Sequence, residues 1–267
     1  MSVLTDLAVA PACTDDIPHA QRLARKLGLA LLERGVDAAN WRSHRALLTV
    51  SGAGLALQTT GKNAPGAVQV DFGSGAMRHR RRAGANELLG RAVGIGRKAG
   101  LRVLDGTAGL GTDSFVLADL GCEVSLFERH PIVYELLAAG LALAGNSDDS
   151  WLRAAADRMR LYSGDVRQAP PECLQVDVIY LDPMFPARAK SAAVGKEMAA
   201  LQWLLQADEA GAGITDLLGW ALEQDVARVV LKRPAKAPLP DEPRPSHCIR
   251  GKAVRYDVYV RRGFSSA

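Results

Sequence analysis

One segment of the sequence combines a carboxylate, a rigid backbone and an aromatic ring, namely Asp182-Pro183-Met184-Phe185. It follows an apolar run over residues 176–181, which predicts a buried strand that Asp-Pro ends abruptly. Open α/β sheets bind their ligands at the carboxyl ends of strands. There Phe185 can stack on a flat base, while the Asp182 carboxylate and the Pro183 carbonyl accept hydrogen bonds from an exocyclic amine. Because Asp-Pro also fits an ordinary turn, this segment alone does not establish a binding site, and the other motifs must be considered with it.

A glycine-rich loop from Asp105 to Gly111 lies between a predicted strand (101–104) and a predicted helix (112–120), the setting of a nucleotide-binding turn. Gly109 and Gly111 let the backbone approach a ligand closely because they carry no side chain. The dinucleotide fingerprint G-x-G-x-x-G is absent. Instead, Asp105 places a carboxylate beside the loop, which disfavours a pyrophosphate and favours a cationic sulfonium with an amino-acid ammonium.

Acidic residues also follow the next two predicted strands. Glu128 stands where an acid accepts hydrogen bonds from ribose hydroxyls, and Asp165 could accept one from an adenine amine. Asp113 and Asp165 also fit helix N-caps. Since acidic or glycine-rich features end successive strands, the pattern as a whole favours S-adenosylmethionine as the cofactor.

Composition indicates an ordinary soluble globular protein of 267 residues, with 48% hydrophobic and 23% charged residues. No apolar run is long enough to predict a membrane span, and the first residues lack the basic region of a secretory signal. The cysteines at 13, 122, 173 and 248 are widely spaced. We therefore expect reduced thiols, no metal site and a cytoplasmic location.

Basic residues are clustered although the net charge is only +4. Clusters of this kind fit a track for a polyanion, and they also fit a solvated surface. The candidates for contacts with RNA phosphates are Arg78, Arg80, Arg81, Arg82, Lys190 and Lys196.

The N-terminal part predicts a small α+β unit over residues 1–75. Its expected elements are a helix over 18–33 and short strands over 46–50, 55–59 and 68–72. A further helix is predicted over 86–98, although its glycines lower the helix propensity of this segment.

After Gly100 the pattern alternates between strands and helices, which predicts βαβ units and a Rossmann-like, mostly parallel sheet over residues 76–267. The alternation of apolar residues over 253–261 predicts an antiparallel strand at the edge of the sheet. The expected strands are 101–104, 123–127, 160–163, 176–181 and 226–231, and the expected helices are 112–120, 131–144, 149–159, 196–206 and 215–224.

Three sequence runs, DGTAGLGTDSFVLADLGCEVSLFERHP, VIYLDPMFPARAKSAAVGKEM and VDFGSGAMRHRRRAG, resemble the ribosomal RNA small subunit methyltransferase J family. The resemblance covers about residues 45–262. It implies a Rossmann-like, S-adenosylmethionine-dependent enzyme that methylates N2 of a guanine in 16S (small-subunit) ribosomal RNA. The expected partner is therefore this RNA or a 30S-type particle.

The resemblance also implies cofactor contacts after successive strands. Thr112 and Asp165 depart from residues that relatives often carry at these positions, although both can still form hydrogen bonds. Motifs and resemblance together give the cofactor candidates Asp105, Gly106, Gly109, Gly111, Thr112, Asp113, Glu128, Arg129, Gly164, Asp165, Val166 and Asp182. The catalytic candidates are Asp182, Pro183 and Phe185, which would orient an unstacked guanine for direct methyl transfer.

Three alternatives remain at this point. The same Asp-Pro loop could serve an adenine-N6 or cytosine-N4 methyltransferase acting on DNA. A nicotinamide-dependent oxidoreductase is disfavoured by the missing G-x-G-x-x-G fingerprint. A non-catalytic RNA-binding protein is disfavoured by the intact glycine loop and Asp-Pro segment.

Overall fold

The computed structural model describes residues 6–62, 64, 66–82, 87–183, 200–201, 203–205, 213–239 and 243–264, with the Arg82 side chain left out. The chain divides into two compact units. One comprises Met1–Asp71, Glu135–Leu143 and Ala187–Gly211, and the other comprises Phe72–Tyr134, Ala144–Pro186 and Ala212–Ala267. The predicted boundary after residue 75 stays a prediction.

The smaller unit contains a five-stranded sheet with the order β2-β1-β3-β4-β5. Strand β1 is parallel to β2 and β3, whereas β4 is antiparallel to β3 and β5. Every residue of β1 is buried. The elements are β1 (Leu7–Pro11), α1 (Ile17–Leu27), β2 (Ala30–Leu31), β3 (Ala46–Ser51), β4 (Gly54–Thr59) and β5 (Val68–Gln69).

The predicted helix over 18–33 is wrong beyond Leu27. Gly28 adopts the left-handed conformation, with φ 66°, and its N–H bonds back to the last turn of α1. The chain then enters β2, which pairs with β1. Strand β1 itself was not predicted. The predicted strands over 46–50 and 55–59 are confirmed, and the one over 68–72 is shortened to β5.

The larger unit contains a seven-stranded sheet with the order β11-β12-β10-β9-β6-β7-β8. Its strands are β6 (Arg102–Asp105), β7 (Glu123–Glu128), β8 (Met159–Ser163), β9 (Val178–Leu181), β10 (Arg228–Pro234), β11 (His247–Arg250) and β12 (Val254–Val260). Further helices with described bounds are α2 (Gly75–Arg82), α3 (Glu87–Val93), α4 (Thr112–Asp119), α5 (Pro131–Gly145), α6 (Ser150–Ala156) and α7 (Ile214–Glu223).

The α/β fold with a mostly parallel sheet is confirmed, because β10, β9, β6, β7 and β8 all run in parallel. Strand β12 is antiparallel to β10, as expected, but it is not at the edge, since β11 pairs with its other side. Helix α3 ends at Val93 rather than at residue 98, because Gly94 adopts φ 97°. Helix α2 was not predicted, and most of the predicted helix over 196–206 lies outside the described residues.

The strand order reverses at β6, which has β7 on one side and β9 on the other. At such a switch point the connections leave in opposite directions and open a crevice at the carboxyl ends of the strands. Strand β9 is buried along its whole length and ends immediately before Asp182. Within the described part of the chain, no helix has the length and hydropathy of a membrane span.

The packing of α5 in the smaller unit leads to a stability prediction. A Cβ atom on Gly140 would lie 2.3 Å from Val70 Cγ1 and 2.8 Å from the Val70 carbonyl oxygen, so one of the elements would have to move. We expect Gly140→Ala to lower the free energy of unfolding by about 1–3 kcal/mol in urea titrations. The control is Gly219→Ala in α7, where a Cβ meets nothing within 4 Å and the better helix propensity stabilises by up to about 1 kcal/mol. Equal effects of the two substitutions would contradict the prediction.

Candidate active site

The polar side chains at the centre of the larger unit lie where neighbouring strands end. Asp105 is the last residue of β6 and is in register with Tyr180 of β9. Leu181 of β9 is in register with Leu231 of β10. The next residue is polar in both segments: Asp182 follows β9, and Lys232 lies within β10. The parallel register therefore assembles the site from segments far apart in sequence.

The glycine loop after β6 is held against the neighbouring strands by its backbone. The Gly106 N–H donates to the Tyr180 carbonyl at 3.0 Å, and the Ala108 N–H donates to the Phe127 carbonyl at 3.0 Å. Gly109 and Gly111 adopt φ 55° and 72°, conformations that favour glycine. A Cβ atom on Gly106 would lie 2.9 Å from Leu181 Cδ2, so no larger residue fits there without movement.

Glu128, at the end of β7, is buried and fastens the loop. One of its oxygens accepts the Gly109 N–H at 2.8 Å, and the other accepts the His130 N–H at 2.7 Å. Burial raises the pKa of Glu128, and the two backbone hydrogen bonds oppose this effect. The carboxylate thus lies directly beside the glycine backbone, where an acceptor for ribose hydroxyls was predicted.

Asp105 is buried beneath the same loop. Its carboxyl oxygens accept hydrogen bonds from the Thr107 N–H at 3.0 Å and from the Ser114 hydroxyl. Burial raises the pKa of Asp105 from 3.8 to about 7, although the hydrogen bonds from Ser114 and Thr107 work in the opposite direction. Its protonation therefore changes near neutral pH.

Asp165 is an N-cap, one of the two roles that the sequence allows for it. It precedes the short 3-10 turn Val166–Gln168, accepts the Arg167 N–H at 2.9 Å and forms an ion pair with the Arg167 guanidinium. The Arg167 side chain lowers the pKa of Asp165. Val166 is buried in the core and Arg129 is exposed, while Gly164 adopts φ 124° and donates its N–H to the Glu128 carbonyl.

Asp113 is not an N-cap, because Gly111 holds that position of α4. Its buried carboxylate instead accepts hydrogen bonds from Arg80 Nη2 at 2.5 Å, from Lys232 Nζ at 2.7 Å and from the Tyr180 hydroxyl at 2.5 Å. Burial alone would raise the pKa of Asp113, but Lys232 and Arg80 lower it below its ordinary value. This carboxylate is therefore held ionised.

Asp182 is fixed by two contacts. Its backbone N–H donates to Thr107 Oγ1 at 2.6 Å, and its Oδ2 atom accepts from Lys232 Nζ at 2.7 Å. Burial raises the pKa of Asp182, and Lys232 opposes that rise. Asp113 and Asp182 in turn raise the pKa of Lys232 despite its own burial, so the ammonium stays charged.

A cavity of about 300 Å³ opens beside Asp182. Acidic, basic and apolar groups meet around it, so it could receive a planar ligand that carries an amine. The described residues that line it are Asp182, Pro183, Lys232, Arg233, Pro234, Ala253 and Val254. Phe185, predicted to stack on a base, lies outside the described residues.

The arginine cluster forms helix α2, and its described side chains are engaged within the larger unit. Arg78 pairs with Asp149 at 2.9 Å, and Arg81 pairs with Asp119 at 2.8 Å. Both guanidinium groups also lie over the Trp151 ring, at 5.6 and 4.9 Å from its centroid. They remain 41% and 50% exposed, respectively. Of the remaining candidates, Arg80 binds Asp113, Arg82 ends α2, and Lys190 and Lys196 lie outside the described residues.

Sequence reasoning missed three residues of this site, namely Thr107, Tyr180 and Lys232. Lys232 follows the predicted strand 226–231, so the criterion that found Asp182 could also have found it. Its two partners are 119 and 50 residues away, and only the strand order brings them together. Among the residues that the structure describes, no three His, Cys, Asp or Glu side chains form a group that could hold a metal ion.

Comparison with known proteins shows similarity to methyltransferases in both sequence and structure. A family model described as "Putative SAM-dependent methyltransferase" matches residues 32–261. The chain is 47% identical over 264 residues to Ribosomal RNA small subunit methyltransferase J of Marinobacter nauticus, covering 96% of this chain and 92% of the relative. It is 43% identical to the protein of that name from Cellvibrio japonicus, covering 96% and 98%. A crystal structure of a SAM-dependent methyltransferase from Neisseria gonorrhoeae superposes with a TM-score of 0.69 at 29% identity, covering 97% of both chains.

The raised pKa of Asp105 predicts a pH dependence of stability. Because its pKa is 3.8 when unperturbed and about 7 when folded, the folded protein binds more protons between these values than the unfolded chain does. The stability that Asp105 contributes is therefore largest below about pH 4 and is lost as the pH rises through about 7. Asp105→Asn should remove this decline, whereas Asp15→Asn, at an exposed position, should keep it. If the free energy of unfolding in urea changed with pH in the same way for wild type and Asp105→Asn, the assignment would be refuted.

Proposed function

The chain belongs to the SAM-dependent methyltransferase family that includes the Ribosomal RNA small subunit methyltransferase J proteins, and from this premise we propose a specific reaction. The enzyme transfers a methyl group from S-adenosylmethionine to the N2 amine of a guanosine in 16S ribosomal RNA. The observation that carries this proposal is the carboxylate of Asp182, which is held at the end of β9 beside an open cavity.

S-adenosylmethionine is the cofactor, and the residues after β6 and β7 fit it. A Cβ atom at Gly106 has no room, and Gly109 and Gly111 hold conformations that favour glycine, so the loop presents bare backbone. Glu128 supplies a carboxylate beside that backbone for the ribose hydroxyls. Asp105 supplies a second acid for the positive charge of the cofactor. When bound, the cofactor provides an activated methyl group.

We propose the remaining candidates as cofactor contacts because they lie at the carboxyl ends of the same parallel strands. Gly164, Asp165 and Val166 follow β8, so they can border an adenine, and Arg129 follows β7. Thr112 and Asp113 begin α4, whose first turn contacts the end of β6 through the hydrogen bond from Ser114 to Asp105. Asp165 would have to share its carboxylate between Arg167 and the adenine amine.

Asp182 orients the acceptor. We assign the guanine base to the cavity, where the Asp182 carboxylate and the Pro183 carbonyl accept hydrogen bonds from its N2 amine. This would direct the nitrogen lone pair toward the methyl group, so that the N–C bond forms as the S–C bond breaks and the amine releases one proton to water. No residue of the chain needs to form a covalent bond, because positioning supplies much of the rate acceleration. Unstacking of the base costs a few kcal/mol, which stacking on Phe185 would offset by about 1–3 kcal/mol.

The RNA partner is proposed to contact the exposed faces of helix α2. Arg78 and Arg81 combine a partner within the chain with substantial exposure, so each can reach a phosphate on its outer side. The proposed set is completed by Arg80, which is paired with Asp113, and by Arg82, Lys190 and Lys196. We further propose that the partner is small-subunit ribosomal RNA, free or in a 30S-type particle, and that the enzyme acts in the cytoplasm.

The cofactor assignment predicts a binding defect. Glu128→Ala removes the acceptor for the ribose hydroxyls and releases the Gly109 N–H, so S-adenosylhomocysteine should bind about 10- to 100-fold more weakly in calorimetric titration. Glu123→Ala, at the exposed beginning of the same strand, is the matched control and should bind as tightly as wild type. Unchanged affinity of folded Glu128→Ala would exclude the proposed ribose contact.

The catalytic assignment predicts both product and rate. With labelled S-adenosylmethionine and small-subunit ribosomal RNA that lacks the modification, the wild-type enzyme should produce N2-methylguanosine, identified by mass spectrometry of the nucleosides. Asp182→Ala should lower kcat by about 100-fold or more because the amine loses its orienting acceptor. The control Asp216→Ala, at an exposed position of α7, should keep kcat.

Formation of N6-methyladenosine or N4-methylcytidine instead, or faster reaction on duplex DNA than on RNA, would overturn the proposed substrate. Near wild-type turnover of Asp182→Ala would overturn the proposed mechanism while leaving the substrate intact.

A further inference from the structure

Lys232 joins the proposed acceptor site to the first turn of α4 through side-chain hydrogen bonds. Its Nζ atom lies 2.7 Å from Asp182 Oδ2 and 2.7 Å from Asp113 Oδ2. The two carboxylate oxygens are therefore within two hydrogen-bond lengths of each other, with a single ammonium between them. The Lys232 side chain is only 21% exposed, so water screens these charges weakly.

The two carboxylates bound to Lys232, Asp113 and Asp182, differ in how many other partners compensate their charge. Asp113 has a second cationic partner, Arg80, and a hydroxyl donor, Tyr180. For Asp182, by contrast, Lys232 is the only cation within ion-pair distance among the residues that the structure describes. The charge of Asp113 is thus compensated without Lys232, whereas that of Asp182 depends on it.

The two contacts of Asp182 also fix its direction. Thr107 holds the backbone N–H, and Lys232 holds Oδ2. No residue in the described part of the chain donates a hydrogen bond to the other carboxylate oxygen, Oδ1. Lys232 itself lines the cavity beside Asp182. One oxygen is therefore anchored, and the other is available to a ligand amine.

We propose that Lys232 is a positioning residue for methyl transfer: it keeps Asp182 ionised and turns Oδ1 toward the acceptor amine. This inference rests on the proposed function. An ionised Asp182 can only accept hydrogen bonds, as an amine with two N–H donors requires, whereas a protonated carboxyl would also present a donor. Lys232 thus acts through Asp182 and needs no contact with the base.

Loss of the Lys232 charge would leave Asp182 among groups that favour its neutral form. Burial raises the pKa of Asp182, and the like charge of Asp113 acts in the same direction, so without Lys232 this pKa would rise further. Arg80 is the remaining cation and is paired with Asp113. In the described part of the chain, the charged and titratable groups that interact electrostatically with Asp182 include Arg80, Asp105, Asp113, Tyr180, Lys232 and Tyr256.

The test is a double-mutant cycle between Lys232→Met and Asp182→Asn, with initial rates on small-subunit ribosomal RNA. In the wild-type background, Lys232→Met should lower kcat by about 100-fold, change the KM for RNA by less than about 3-fold, and move the acid limb of the pH profile upward. In the Asp182→Asn background, which has no carboxylate to ionise, Lys232→Met should change kcat by less than about 3-fold. Lys232→Arg, which keeps the charge, should leave the acid limb in place.

Lys236→Met removes the same charge from an exposed position four residues away and should keep the wild-type kcat and pH profile. Urea unfolding and S-adenosylhomocysteine affinity show whether each variant is folded. Should Lys232→Met not fold, Lys232→Gln is the neutral replacement in both backgrounds.

Equal losses of kcat in the two backgrounds, or an unshifted acid limb in a folded neutral variant, would overturn the role of Lys232. Failure of the wild-type enzyme to form N2-methylguanosine would instead overturn the proposed function, so the two failures are distinguishable.

Discussion

The crowding of carboxylates at one edge of a parallel sheet is the constraint on which the active site depends. Asp105, Glu128 and Asp182 all emerge at the carboxyl ends of β6, β7 and β9, and Asp113 follows in the first turn of α4. Like charges this close cannot all be ionised without compensation. The protein meets the problem in two ways: Lys232 and Arg80 neutralise Asp113 and Asp182, while burial holds the pKa of Asp105 near neutrality.

Much of this edge could be predicted from the sequence because its signals are local. A β-branched run followed by Asp-Pro, and a strand followed by glycines, place Asp182 and the loop without any knowledge of the fold. Lys232 was missed because its importance comes from partners that only the strand order brings near. Strand β1 and helix α2 were missed for a different reason: β1 is too short for a clear period, and the arginines of α2 have no apolar stripe.

The arginines of α2 already make contacts within the protein, which limits the RNA contact proposed for them. Composition alone suggested a polyanion track, but in the structure these side chains reach acids on α4 and at the start of α6. Arg78 and Arg81 also cover the Trp151 ring, which leaves only the outer part of each guanidinium for a phosphate. A phosphate that binds there must share the guanidinium with a carboxylate. Binding of RNA at α2 would therefore be weaker than the number of arginines suggests and sensitive to salt.

Asp105 links the charge balance of this edge to the cofactor. Its pKa of about 7 means that the carboxyl can be neutral in the empty protein, where a further buried anion beside Glu128 and Asp113 would be costly. A cation bound beside the glycine loop favours the ionised form of Asp105. Binding of a positively charged cofactor at the proposed position is therefore linked to release of the Asp105 proton, since the same interaction that lowers its pKa stabilises the complex. Because methyl transfer removes the sulfonium charge, this part of the attraction to Asp105 would disappear, which would favour exchange of product for fresh cofactor.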